Sequence, residues 1–126
     1  MNEKERRSRS HNAVVGECGE RIAADWLESH GMRVVDRNWR CRNGEIDVVA
    51  VDGDTLVVVE VKTRTGPAGG HPFESITPQK LARLRGLAAA WCAAHTDTRS
   101  PQIRLDAVAV LIVHGHAAVE HLRGIA

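Results

Sequence analysis

Cysteine is scarce and unpaired in this 126-residue chain: Cys18, Cys41 and Cys92 are the three present, an odd number with no Cys-x-x-Cys among them. That excludes a disulfide framework and a zinc knuckle, and it points to a reducing, cytoplasmic setting. Long apolar runs are missing too. The run Ala107 to Val113 falls far short of the roughly 18 to 20 residues that span a bilayer, so no membrane partner is expected. The opening segment holds Glu3, Lys4, Glu5, Arg6, Arg7 and Arg9 with no apolar h-region, which argues against a signal peptide or anchor. A dominant charge is absent as well: 17 Lys+Arg stand against 16 Asp+Glu, and a formal net charge of +1 is too little for a strongly basic coat. Internal repeats and low-complexity segments are lacking.

What remains is a globular balance, 43% hydrophobic and 26% charged. It suits one compact α/β domain and is too short for two of ordinary size. Residues 1–12 are polar and aperiodic and read as a flexible charged tail, with the domain over residues 13–126. Val15, Cys18, Ile22 and Trp26 then recur at helical spacing, widened by Ala23 and Leu27, which predicts an amphipathic helix over 13–30 with Gly31 as its C-cap. Met32 to Asp36 reads as a short strand, followed by an arginine-rich connection that holds Asn38 and Trp39. Two valine-rich strands, Glu45 to Val51 and Thr55 to Lys62, flank the hairpin signal Asp52-Gly53-Asp54. Thr65 to Pro72 is rich in glycine and proline and predicts a mobile loop able to act as a flap. Thr77-Pro78 opens a second helix over 78–94, with Leu81, Leu84, Ala88 and Trp91 on one face. Ile103 to Val113 predicts a buried strand, turned by His114-Gly115-His116 into a short edge strand near Val119 to Leu122. The order α-β-β-β-α-β-β predicts a mixed sheet flanked by helices. Its strand-helix-strand step requires a right-handed crossover, with the strand at Ile103 parallel to an earlier one.

The chemistry concentrates in the hairpin. Carboxylates are costly to desolvate on a sheet built of valines, so Asp47 and Glu60 call for a partner. Two registers, Val51 with Asp54 or Asp52 with Thr55, both put Asp47, Glu60 and Lys62 on one face; a one-residue slip separates them. Two carboxylates and the Val61 carbonyl would suit Mg²⁺ or Mn²⁺, with Lys62 placed to offset charge in phosphodiester hydrolysis. The competing reading is an edge hairpin whose acids and lysine simply pair. Arg33, Arg37, Arg40 and Arg42, then Lys62 and Arg64, then Lys80, Arg83 and Arg85 surround the acids with positive charge, which suits a polyanion gripped by its phosphates.

Asp47 followed by Glu60-Val61-Lys62 across a hairpin resembles the PD-(D/E)xK, or restriction-endonuclease-like, nuclease superfamily. Within it the chain is similar to the bacterial YraN-like family, itself similar to archaeal Holliday-junction resolvases. The likeness rests on Gly19-Glu20 with Ala23 and Leu27, Arg37-Asn38, Gly44-Glu45-Ile46-Asp47, Val59-Glu60-Val61-Lys62 with Arg64, Pro78 with Lys80, and Arg104 with Asp106. It implies a restriction-endonuclease-like fold, metal ligation by Asp47 and Glu60, catalytic help from Lys62, and an acid on the first helix. Glu20 matches that acid, and helix geometry places it on the border of the buried stripe whereas Glu17 points further out. Val58 and Leu105 stand where aromatics are common, which bears on packing and not on chemistry.

The expectation is therefore a Mg²⁺- or Mn²⁺-dependent nuclease. Its catalytic residues would be Asp47, Glu60, Lys62 and Glu20, with Val61 joining the three acids as metal ligands. DNA rather than RNA, branched and single-stranded forms included, would be bound by Arg37, Arg40, Arg64 and Lys80. The alternative is a non-catalytic nucleic-acid-binding or scaffolding module on the same fold. An exposed sheet edge would also allow a homodimer. Arg104 and Asp106 share a strand face and are expected to pair, His114 and His116 to make a turn, and Trp26 and Trp91 to fill the core. Trp39 is open to stacking on a base or to burial.

Overall fold

The computed structural model describes residues 2–66, 70–97 and 102–125, without the side chains of 8–10. Helix α1 spans Glu3–Ser29, so residues 3–12 form helix in place of the irregular tail expected there. Local chemistry starts it early. Asn2 accepts a hydrogen bond from the Glu5 N–H at 2.8 Å, Glu3 and Glu5 occupy the first turn, and Arg7 pairs with Glu3 at 2.6 Å one turn on. Periodicity missed this because nothing apolar marks a face before Val14. The helix ends at a His30 cap, and Gly31 follows at φ 91°, the left-handed position glycine favours after a helix.

Strands β1 (Arg33–Cys41), β2 (Gly44–Asp52) and β3 (Thr55–Arg64) follow. A 3-10 turn over Pro72–Ser75 leads to helix α2 (Pro78–Ala94), and β4 (Gln102–Val113) and β5 (His116–Leu122) end the chain. The sheet order is β1-β2-β3-β4-β5, antiparallel throughout except for the parallel β3–β4 pair that the crossover through α2 requires. The arginine-rich connection is a correction: residues 37–41 continue β1 as a strand, with Arg37 opposite Val48 and Arg40 opposite Glu45. An edge strand with one face in water tolerates these charges, and a bulge between Val34 and Asp36 re-aims the side chains. Positions 67–69 of the expected flap lie outside the described residues.

Two core layers sandwich the sheet. Val57, Val59, Val108 and Val110 face Ala23 and Leu27 of α1, while Leu56, Val58 and Leu105 face Leu84, Leu87 and Trp91 of α2. A continuous valine run is what a strand buried on both faces needs. Thr77 caps α2 by accepting the Lys80 N–H at 3.2 Å. Trp91 is buried and donates its indole N–H to Asp36 at 2.8 Å, whereas Trp26 and Trp39 are only half-buried. This mixed five-stranded sheet flanked by helices is consistent with a restriction-endonuclease-like fold.

Candidate metal centre

The β2–β3 hairpin adopts the register in which Asp52 pairs with Thr55, closed through Gly53 at φ 63°. Continued, it would set Asp47 opposite Glu60, but the paired residues stop at Val48 and Val59. There the strands part. Val48 packs in the α1 layer and Ile46 in the α2 layer, so β2 changes its facing across Asp47. The freed Val61 N–H is satisfied by the Asp47 carboxylate, whose Oδ2 accepts it at 2.8 Å. The fork between β2 and β3 is thus held by the Asp47 side chain.

Carboxylate oxygens of Glu20, Glu45 and Asp47 lie within 4.8 Å of one another at this fork. Glu45 is the member sequence reasoning did not select; its two-residue offset from Asp47 on one strand was the available signal. Glu20 reaches the fork because Gly19 lets α1 approach β3: a Cβ on Gly19 would stand 2.7 Å from Thr63 Cγ2. Glu17 is exposed and outside the group. Glu60 is also outside it and pairs with the Lys62 ammonium at 3.2 Å, both side chains being half-buried.

Burial pushes the Asp47 carboxyl up to about 7; the Val61 N–H opposes that rise, and the charges of Glu60, Glu20 and Glu45 add to it. Glu20 is raised by burial and by Glu45, against the pull of Arg37 and a hydrogen bond from Asn38. A positive charge brought among such oxygens favours their ionised form. All three donors are hard carboxylate oxygens with no imidazole or thiolate, a set that fits Mg²⁺ or Mn²⁺ better than zinc.

The expected phosphate contacts fall into different places. Arg37 acts on Glu20 through its charge, and Arg40 is bound to Glu45 at 2.8 Å. Arg64 lines a cleft of 420 Å³ on the α1 side together with Glu20 and Lys62. Lys80 lines a cleft beside α2 with Glu45, Glu60 and Lys62. The fork is therefore reached from both faces of the sheet. Away from it, Arg104 and Asp106 do pair, at 2.8 and 3.0 Å, around an Asp106 that is 0% exposed. Asp52, His121 and the Gly124 N–H complete that network, and sequence reasoning found none of the three. His114 and His116 are exposed in the β4–β5 turn and belong to no metal-ligand group among the described residues.

The protein is thus a mixed α/β domain with three carboxylates and a lysine–glutamate pair gathered at a strand fork. The chain belongs to the Uncharacterised protein family UPF0102, whose family model matches residues 19–110, from the Gly19 contact into β4. A UPF0102 protein of Arthrobacter sp. (strain FB24) is 58% identical over 113 residues, covering 89% of this chain and 95% of the relative. One from Beutenbergia cavernae is equally similar, and one from Streptomyces coelicolor is 51% identical over 115 residues, covering 90% and 88%.

Proposed function

We propose that this protein is a Mg²⁺- or Mn²⁺-dependent nuclease of the PD-(D/E)xK superfamily that hydrolyses phosphodiester bonds of DNA in the cytoplasm. The observation that carries the reading is the convergence of Glu20, Glu45 and Asp47 beside the Glu60–Lys62 pair. Three acids crowded in a partly buried fork destabilise one another unless a cation joins them. Glu20, Glu45 and Asp47 would hold the ion, with Glu60 beside them. Bound there, a divalent cation supplies charge for the phosphoryl oxygens and acidifies a water. Lys62, fixed by Glu60, presents ammonium donors to the charge that develops on the phosphate. Asp47 keeps the fork open through Val61, and Arg64 and Lys80 supply positive charge in the clefts on either side.

Calorimetric titration with Mg²⁺ and Mn²⁺, set beside a cleavage screen over duplex, single-stranded, flap and four-way DNA and over RNA, tests the proposal. Metal uptake that Asp47→Ala abolishes, and cleavage that Lys62→Ala lowers by about a hundredfold or more, are expected. Cleavage unchanged in Lys62→Ala, or no metal uptake at all, would refute it. One observation favours the non-catalytic module: Arg40 on Glu45 and Lys62 on Glu60 already neutralise two of the acids from within the chain. DNA binding in chelator, with no metal uptake, would select that reading.

A further inference from the structure

Helix α2 covers only one end of its side of the sheet. It packs on Leu56, Val58 and Leu105, and the same face of β4 runs on through Ala109 to Leu111, which is 38% exposed. The β5 residues opposite these two are Glu120 and Ala118. Ala109, Leu111 and Ala118 floor a pocket of 270 Å³ that His71 and Pro72 wall and Arg64 borders. The register sets it beside the proposed reaction centre. Lys62 pairs with Ala109 and Arg64 with Leu111, so the floor begins about 5 Å from the Lys62 backbone.

The pocket joins a flat wall to a small apolar floor. His71 is fixed at both edges: its Nδ1 accepts the Phe73 N–H at 3.1 Å, which leaves the proton on Nε2 to donate to Glu120 at 2.7 Å. Phe73 stands against the imidazole with ring centroids 4.9 Å apart. With both nitrogens engaged, what His71 offers a ligand is its ring face, on which a planar heterocycle stacks. Alanine at 109 and 118 leaves room over the sheet for such a plane. A volume of 270 Å³ lies just under the roughly 300 to 1,000 Å³ of pockets for drug-sized molecules and suits a single ring system. Arg64 borders this pocket and also the 420 Å³ cleft that holds Glu20 and Lys62, and it pairs with no carboxylate among the described residues. One free guanidinium thus stands between the acid cluster and the pocket, the place for a phosphate that joins the two.

Resting on the nuclease reading, we propose that this pocket receives the base of an unpaired nucleotide adjoining the scissile phosphate, stacked on His71, with Arg64 on the phosphate. A base in a duplex reaches the pocket only by leaving its stack and its pair, at a cost of about a few kcal/mol. Single strands and unpaired nucleotides at branch points avoid that cost, so the pocket selects for them.

Fluorescence anisotropy of a labelled single-stranded oligodeoxynucleotide of about 12 residues, with an abasic residue placed at each position in turn, tests this. The full chain in a Lys62→Ala background keeps the probes intact in Mn²⁺. An abasic residue at one or two positions is expected to weaken binding about tenfold, with little effect elsewhere, and a duplex of the same sequence should bind more weakly than the single strand. Ala118→Phe fills the pocket from an exposed strand position that accepts an aromatic. It should remove the position dependence while Mn²⁺ uptake by calorimetry and the melting temperature stay at the parent's values. His71→Ala, which takes away the stacking face, should lessen the same penalty. If the parent binds DNA but no abasic position costs affinity, if it binds duplex alone, or if the penalty persists undiminished in both pocket variants, the pocket is overturned and the nuclease reading stands. A parent dimer that Ala118→Phe dissociates, with no abasic effect, would give this face to a second copy and overturn the pocket equally. If the parent binds neither single strand nor duplex, the nuclease reading falls and the pocket with it.

Discussion

At the scale of single residues, Asp47 sets the proposed function against stability. Its folded pKa, about 7, lies above the ordinary carboxylate value, so the folded state holds that proton more tightly than the unfolded chain does. Stability from this residue is full below about pH 4 and is lost as pH rises toward 7, where the carboxylate must ionise among Glu60, Glu20 and Glu45. Asp47→Asn keeps an oxygen for the Val61 N–H and removes the charge. The variant is expected to be more stable than the parent by about 1 to 3 kcal/mol at pH 8 in EDTA, and equal to it near pH 4, by thermal melts at both pH values. Mn²⁺ should raise the melting temperature of the parent and leave that of the variant unchanged. Gly19 makes the second residue-scale case. Gly19→Ala would thrust a methyl into Thr63, moving α1 and Glu20 away from β3; a stability loss of about 2 kcal/mol is expected from denaturant titration, with weaker metal uptake by calorimetry. Restoring space with Thr63→Ala in the Gly19→Ala background, which removes both Oγ1 and Cγ2, should recover part of both.

At the scale of elements, the decisive items are a register, a bulge and a buried ion network. Alternation along β2 and β3 showed that the chemistry-bearing residues could share a face, and the Asp52–Thr55 pairing selects one of the two registers that allow it. Alternation could not show that the pairs end at Val48 and Val59, because a fork depends on what each strand packs against beyond it. Arg37 and Arg40 read as part of a loop, since β-propensity describes a half-buried surface and β1 is an edge, whereas Arg42 does lie in the turn after it. Asp106 ties β4 to β5, to Asp52 at the β2 end through Arg104, and to the chain after β5 through the Gly124 N–H. Burial resists ionisation of this carboxyl, yet the bonds from Arg104, Gly124 and His121 outweigh burial and hold it below the usual range. Its contribution is present above about pH 4 and is lost as pH falls through the lowered value, opposite in sign to that of Asp47. Asp106→Ala, which strands Arg104 and His121, is expected to cost about 3 kcal/mol or more at pH 7, measured by urea titration, and distinctly less near pH 3.

At the scale of the whole molecule, the element order, the parallel step through α2 and the helical faces that pack on the sheet were legible in the chain, as were the acids and the lysine that the proposed chemistry uses. These follow from periodicities of 2 and 3.6 and from turn residues, which are local properties of the chain. Glu20 was legible because a helix fixes the direction of every side chain once its stripe is known. Which acids meet depends on packing between elements distant in the chain. Glu45 joins Glu20 and Asp47, while Glu60 turns to Lys62, because β2 and β3 part at Val48 and Val59 and Gly19 brings α1 against Thr63. His121 and Gly124 reach Asp106 from the far end of the chain, a pairing across 15 and 18 residues that no local pattern encodes. The first half of α1 was likewise hidden. Its first turns are held by a cap and the Arg7–Glu3 pair and carry no apolar stripe, and hydrophobic periodicity registers only a helix that has something to bury.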